Sequence, residues 1–468
     1  MARPNAGDRK LGIVIWMESE GRLMTSCERM LKDQKYSEHF SNIREHYDTV
    51  ISGANFDKLC IYSGGRKLRF RDDIAYPFHA SPYFKAVVPV VDRPNIWVLW
   101  VPGKKPALII YHPDDIWHAP PEALEGGWME HFEIAVVSDL NDVGGCFGNL
   151  HNSAFIGEED AHTNQFEFSE VNPHELMLGL SRIRIVKSGY EIFCLKKAVE
   201  RSVAGHLAVR DAFFEGCSEL EIAHAFERGA GSRGEGLAYP SIIAQNENAA
   251  VLHYDRRSPV RMPAADMKSL LVDAGAEYAG YAADVSRTYA YGEGASLFSD
   301  ILAMLDHQQK LMADATCVGV SYYDLNIQAM GQIAEILIEA GVLSMEPSEA
   351  LESGVIRHFF PHPLGHFLGL QVHDVGQKER EEQHNDKMLE AACMMGRVQA
   401  GHVVTVEPGI YFIKQLLKKL SASAYRTSVN WEKVDELIPF GGMRIEDNIE
   451  VRENGPANLT RECFEAHD

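Results

Sequence analysis

Between Ser269 and Tyr289 the chain reads SLLVDAGAEYAGYAADVSRTY, two strand-like arms around a turn at Glu277-Tyr278-Ala279-Gly280. Strand interiors disfavour Asp, yet each arm carries one, Asp273 and Asp284. With the turn centred between Tyr278 and Ala279, the two face each other. Opposed side chains on a hairpin have Cβ atoms roughly 4.5–5.5 Å apart. Carboxylates that close repel, and one stays protonated unless a cation sits between them. The alternative is a pair of solvated aspartates beside a turn. Any fold for this chain has to accommodate that pair.

Three further stretches carry groups of the same kind. FFPHPLGHFLGLQVHDVG (359–376) places His362, His366 and His373 in apolar surroundings. A lone histidine there is more often a hydrogen-bonded core residue, but neutral imidazole also binds divalent metals and moves protons near neutral pH. VVTVEPG (403–409) is a β-branched strand ending in Glu407 before a Pro-Gly turn, a rim residue or a ligand. In GGMRIEDNIEV (441–451), Met443, Ile445, Ile449 and Val451 alternate to one face. Arg444, Glu446 and Asn448 point to the other. Arg444 and Glu446 form either a surface ion pair or a cation beside a ligating carboxylate. Together the stretches offer four carboxylates and one imidazole. Four negative charges balance two divalent cations, and a dinuclear site can hold and activate a water. Oxygen-rich sites favour Mn, Mg or Co, and imidazole admits Zn or Fe.

The acidic groups sit in a chain with a formal net charge of −22. That argues against nucleic acid or an anionic membrane as partner, since phosphate binding needs clustered Lys and Arg. The eight cysteines are scattered without a CxxC pair, which fits reduced thiols in a cytoplasm. The apolar run Leu11 to Trp16 is too short for a signal segment or a membrane span.

At 468 residues the chain calls for two domains. Residues 1–185 read as α/β: a helical segment from Ser26 to Val50, then β-rich runs at 58–64, 85–92, 95–101, 107–112 and 132–137. Three strands packed this closely suggest an antiparallel meander flanked by helices. From Gly189, apolar residues recur at helical spacing up to Gly216, and Ser218-x-x-Glu221 reads as a capping box opening another helix. Residues 186–468 mix strands with helices near 299–315 and 325–341, and hold nearly every residue that looks chemical.

The strings DAGAEYAGYAADVSRTY, FFPHPLGHFLGLQVHDVG, VEPGIYF and PFGGMRIEDNI resemble, in order and spacing, those of the pita-bread metallopeptidases. The likeness is greatest to bacterial prolidases, including the organophosphorus acid anhydrolases. It implies an N-terminal creatinase-like α/β domain and a C-terminal pita-bread α+β catalytic domain. It implies two divalent metal ions, manganese first, with Co, Zn or Fe as alternatives. Asp273 would bind one, His366 with Glu407 the other, and Asp284 and Glu446 both. His362, His373 and Glu407 would be catalytic. Tyr239, His253, Val372 and Arg444 would meet the substrate. Asp73, within RDDIAYPF, would reach the site of a second copy in a homodimer. The implied activity is cleavage of Xaa-Pro dipeptides, with phosphotriesters as a side substrate. Aminopeptidase P-like cleavage of longer peptides, turnover of a non-peptide solute, and a binding module without activity are the other readings. Two departures stand out. HPLGH has Pro363 where Gly is usual, which fixes φ and removes an N–H beside His362. Gln377 follows HDVG in place of Gly.

Overall fold

The computed structural model describes residues 15–17, 23–114, 116, 123–160, 162–232, 237–292, 296–376 and 396–467. Gln377 and most of the stretch before residue 25 lie outside the described residues.

Helix α1 (Ser26–Gly53) buries Tyr36, Phe40, Ile43, Tyr47 and Ile51, one stripe at three- and four-residue spacing. It packs on a six-stranded sheet of β1 (Lys58–Tyr62), β2 (Ile96–Trp100), β3 (Ala107–Tyr111), β4 (Glu133–Val137), β5 (Ser153–Ile156) and β6 (Glu170–Val171). Its order is β4-β3-β2-β1-β5-β6. Only β1, β2 and β3 form an antiparallel meander; β4, β5 and β6 join in parallel. A three-stranded meander is thus present as expected, with 58–62 rather than 85–92 as its third strand, and the parallel joins make the whole sheet mixed. The run 85–92 is not a strand. Ser81 caps a short helix, Pro82–Lys85, and Pro89 denies a ladder donor. Val87, Val88 and Val90 are nevertheless buried, so the apolar pattern reported burial rather than pairing.

Helix α2 (Gly189–Phe214) opens on a reciprocal capping box, Ser188 with Glu191. A second box, Ser218 with Glu221, opens α3 (Glu219–Gly229). In the sheet beyond, β8 (Ser269–Asp273) lies between β7 (Ile242–Gln245) and β11 (Ser286–Ala290). The hairpin tip is β9 (Glu277–Tyr278) and β10 (Tyr281–Ala282). Ala279 and Gly280 both have positive φ, 50° and 86°, as a tight two-residue hairpin turn needs. The turn is therefore centred between these two, and Asp273 pairs with Ser286 rather than with Asp284. The expected register is off by two residues. A shift of two keeps the face, so Asp273, Asp284 and Ser286 still lie on one side of the hairpin.

The rest of the C-terminal part brings two more strand pairs against this one. β12 (Val403–Val406) pairs with β15 (Asp447–Glu450), and β13 (Gly409–Tyr411) with β14 (Gly442–Arg444). An isolated bridge, Ser286 to Glu446, ties β11 to the start of β15. Asp447, on the face opposite Glu446, secures that bridge. It accepts from Arg287, Arg461 and Asn458 at 2.7–2.8 Å, and Arg287 also donates to the Glu446 carbonyl.

Burial works to raise the Asp447 carboxyl, but Arg287 and Arg461 outweigh it and hold it at about 2, below its ordinary 3.8. A depressed value stabilises the fold above pH 3.8, and that contribution disappears as pH falls through about 2. Asp447→Asn should cost about 3 kcal/mol at neutral pH, because the partly buried Arg287 loses its counter-charge and Arg461 is left with Asp306 alone. Urea unfolding is the measurement, and the gap to the parent should narrow below pH 4.

Candidate metal centre

The face shared by Asp273, Asp284 and Ser286 forms one wall of a polar pocket. Tyr239 Oη lies 2.5 Å from both Asp273 Oδ1 and Asp284 Oδ1 and shares its one proton between them. Ser286 Oγ donates to Glu446 Oε2 at 2.8 Å and accepts from Arg444 Nε at 2.8 Å.

The opposite wall comes from residues 364–366, which run beside β12. Glu407 N donates to the Leu364 carbonyl, Thr405 N to the His366 carbonyl, and His366 N to Thr405 Oγ1. Gly365 permits this approach, since a Cβ there would stand 2.2 Å from the Thr405 carbonyl oxygen. His366 Nε2 consequently lies 3.4 Å from Asp284 Oδ2 and 3.8 Å from Glu407 Oε1. Asp284, His366 and Glu446 each offer one ligand atom within 4.8 Å of the others, a metal-sized group among the described residues.

Charge in the pocket is unbalanced. Burial, reinforced by Asp284 and Glu407, drives the Glu446 carboxyl well above its ordinary range. Burial lifts Asp273 to about 6 against the pull of Arg444, and Glu407 to about 7 against His366 and Arg444. Asp284 goes the other way: His366 outweighs burial and holds it low. His366 itself rises to about 9, since Asp284 and Glu407 overcome burial. Glu446 Oε1 is buried and has no hydrogen-bond partner among the described residues. An orphaned carboxylate oxygen, flanked by carboxylates and an imidazole, fits a divalent cation. Binding through His366 Nε2 would require its proton to leave.

Comparison with known proteins decides the family. The model of metallopeptidase family M24 matches residues 194–453. The chain belongs to family M24. That membership implies a site for divalent metal ions. Ahead of the M24 stretch, residues 34–181 match the N-terminal domain of Xaa-Pro dipeptidase. An Xaa-Pro dipeptidase of Shewanella woodyi is 37% identical over 433 residues, covering 92% of this chain and 98% of that protein. One from Shewanella amazonensis is 38% identical over 437 residues, covering 91% and 98%. Among solved structures, proline aminopeptidase P II from Yersinia pestis matches with a TM-score of 0.69 at 21% identity, covering 92% of this chain and 96% of that one. Escherichia coli aminopeptidase P with the inhibitor Pro-Leu gives 0.68 at 20%, covering 92% and 95%. These two show a shared fold: an N-terminal α/β part and a C-terminal α+β part carrying the pocket.

In this M24 chain the other candidates distribute unevenly around the pocket. His362 Nδ1 lies 3.7 Å from Glu407 Oε2 and 2.8 Å from the Pro363 carbonyl, and its Nε2 is 2.9 Å from Tyr411 Oη. Burial, with Arg444 adding, lowers its imidazole to about 3. A neutral ring that donates from Nδ1 to Pro363 accepts the Tyr411 hydroxyl proton at Nε2. The ring of His373 is exposed and centred 4.2 Å from that of His366. His253 is exposed, within electrostatic range of His362 and His373. Val372 is half-buried against the N-terminal core. Arg444 is neither a surface residue nor paired with Glu446: it is buried, and its Nη2 meets Asp273 Oδ2 at 2.5 Å. Asp73 stands apart, on an exposed loop at 66–78, with no contact to this pocket among the described residues.

Two groups of the pocket were not singled out from sequence. Tyr411 links Arg444 Nη1, at 2.8 Å, to His362, and Ser286 links Arg444 to Glu446. Both lie inside strings that carry the family likeness. The available signal was parity: Ser286 is two residues from Asp284, hence on its face.

Replacing Glu446 by Gln or His366 by Ala should weaken Mn2+ or Zn2+ binding by at least tenfold, the lower bound for losing even an outer-shell partner. Equilibrium dialysis with elemental analysis measures this without reference to turnover. Undiminished affinity in both variants would remove these groups from the ligand set.

Proposed function

We propose that this chain hydrolyses Xaa-Pro dipeptides, using two divalent cations held by Asp273, Asp284, His366, Glu407 and Glu446. The observation that carries the proposal is the grouping of Asp284, His366 and Glu446, with Glu407 3.8 Å from His366, Asp273 sharing Tyr239 with Asp284, and the Glu446 oxygen unpartnered among the described residues. The curated relatives, Xaa-Pro dipeptidases by name and alike over more than nine-tenths of this chain, support the substrate class. Manganese is the first choice for an oxygen-rich site, with Co, Zn or Fe able to serve.

When bound, the cations would lower the pKa of a water and draw charge from the scissile carbonyl. The chain's own groups do the rest. Arg444 spends three of its five N–H donors on Ser286, Tyr411 and Asp273. The remaining two would take the dipeptide's terminal carboxylate. His362, kept neutral by burial and by Arg444, adds no second charge beside it. His373 at the rim would donate to the developing oxyanion. Glu407 would carry the proton to the prolyl nitrogen, which has no N–H of its own in the substrate. Tyr239 fixes the orientation of Asp273 and Asp284, and with Val372 and His253 would line the Xaa side. A phosphotriester, tetrahedral at phosphorus, would meet the same groups.

The loop at 66–78 supports a homodimer in which Asp73 acts in the second copy. Its Leu68, Phe70, Ile74 and Tyr76 are all more than half exposed, Phe70 to 92%. Sedimentation should give twice the chain mass. Six described cysteines are free thiols, in keeping with a cytoplasmic protein. Among the described residues, no helix is long and apolar enough to cross a membrane. The domain border is placed at 185/186.

Metal-loaded protein should cleave Xaa-Pro dipeptides in preference to Xaa-Pro-Xaa tripeptides. Glu407→Gln should lower kcat by about 10²-fold or more, the scale of a lost general acid–base group. Faster turnover of tripeptides would assign aminopeptidase P activity instead. Full activity in the variant would clear Glu407 of its role.

A further inference from the structure

Two buried cations lie in the short stretch between the two family matches, residues 182–193. Arg184 and Lys187 are 3% and 6% exposed. Both turn to one carboxylate, Asp374, on the loop that follows His366. Lys187 Nζ donates to Asp374 Oδ2 at 2.9 Å, and Arg184 Nη2 donates to Asp374 Oδ1. Arg184 Nη2 also donates to Gln371 Oε1 at 2.9 Å. A third cation comes from the N-terminal part: Lys85 Nζ donates to the Leu370 carbonyl at 3.0 Å and to the Gly280 carbonyl, on the hairpin turn, at 3.3 Å.

The consequence is a loop tied on both sides of two residues. Leu370 and Gln371 are held before them and Asp374 after them. Asp374 N also donates to the Phe367 carbonyl. The two residues between the ties are Val372 and His373. Gly369 completes the arrangement, because a Cβ there would stand 2.0 Å from Asp374 Oδ2 and 2.8 Å from Lys187 Nζ. Two cations on one carboxylate, all nearly devoid of solvent, form an expensive way to join two parts of a chain. An apolar contact would join them at lower cost, whereas directional bonds fix a loop's geometry.

We propose that Lys85, Arg184 and Lys187 are positioning residues, through which the N-terminal part and the connecting stretch set the 370–374 loop so that Val372 and His373 meet the substrate. The inference rests on the function proposed above for the assignment of those two residues. The charges act through Asp374, Gln371 and the Leu370 carbonyl, and none of the three cations touches substrate. The M24 stretch thus depends on side chains from outside itself for the shape of its own pocket.

The test uses the full chain with Lys187→Met and, as a milder change that leaves both Asp374 pairs intact, Lys85→Met. Hydrogen exchange read by mass spectrometry should show residues 368–376 exchanging about tenfold faster in each variant, with α3 unchanged. Steady-state kinetics on an Xaa-Pro dipeptide should show kcat/KM lower by about tenfold to a hundredfold, with kcat falling as His373 is misplaced and KM rising as Val372 is, at unaltered metal content. Lys187→Arg, which keeps the charge, should recover part of the loss. Unchanged exchange at 368–376 in a folded variant would overturn the proposal. So would faster exchange throughout the chain with kcat and KM both unchanged, the mark of a structural staple alone. If the parent protein cleaves no Xaa-Pro peptide, the function falls, and the exchange data still decide whether the loop is held.

Discussion

Four carboxylates and one imidazole meet in a pocket largely closed to water, and the fold around them is arranged to tolerate their repulsion. Two like charges 5 Å apart repel by roughly 3 kcal/mol at an effective dielectric constant near 20. Arg444 and a protonated His366 offset only part of this. Burial first, and then the repulsion that remains, leave carboxyls that resist ionisation: Glu446 far above its ordinary range, Glu407 near 7 and Asp273 near 6. Divalent cations would remove that strain at its source. The site and its ligand requirement are therefore one statement about charge.

The scaffold keeps these groups from moving apart. Each arrives on a short strand or beside one, and the strands interlock through the Ser286–Glu446 bridge and the Thr405–His366 bonds. Behind the bridge, Asp447 gathers Arg287 and Arg461, so the residue next to Glu446 has its charge satisfied on the opposite face. Alternation along one strand separates a frustrated carboxylate from a fully paired one.

Much of this was legible in the sequence. Asp273 and Asp284 betrayed themselves as acids in strand-like arms, and Glu407 as the end of a β-branched run. The face they share survived an error in register, because the error was even. That error arose at Ala279, which takes a positive φ that an alanine seldom adopts, so nothing marked it as a turn centre. The run 85–92 misled for a different reason: Val87 and Val88 are core residues without being strand residues, and periodicity alone does not separate the two. The close spacing of the N-terminal runs pointed to the meander but not to the parallel joins of β4, β5 and β6, which depend on long-range order that local patterns do not carry. Tyr411, Arg184 and Lys187 were illegible as partners, since each acts on a group far away in the chain. Arg444 left two readings open, a surface ion pair or a cation beside a ligating carboxylate, and its burial against Asp273 excludes the first.

The central claim is that the five side chains hold two cations between them. Anomalous diffraction from crystals soaked in Mn2+, paired with elemental analysis of the dissolved protein, tests it most directly. The account predicts two ions per chain, with Asp284 and Glu446 contacting both and His366 only one. A single ion, or two ions bound elsewhere with Glu446 still unpartnered, would contradict it.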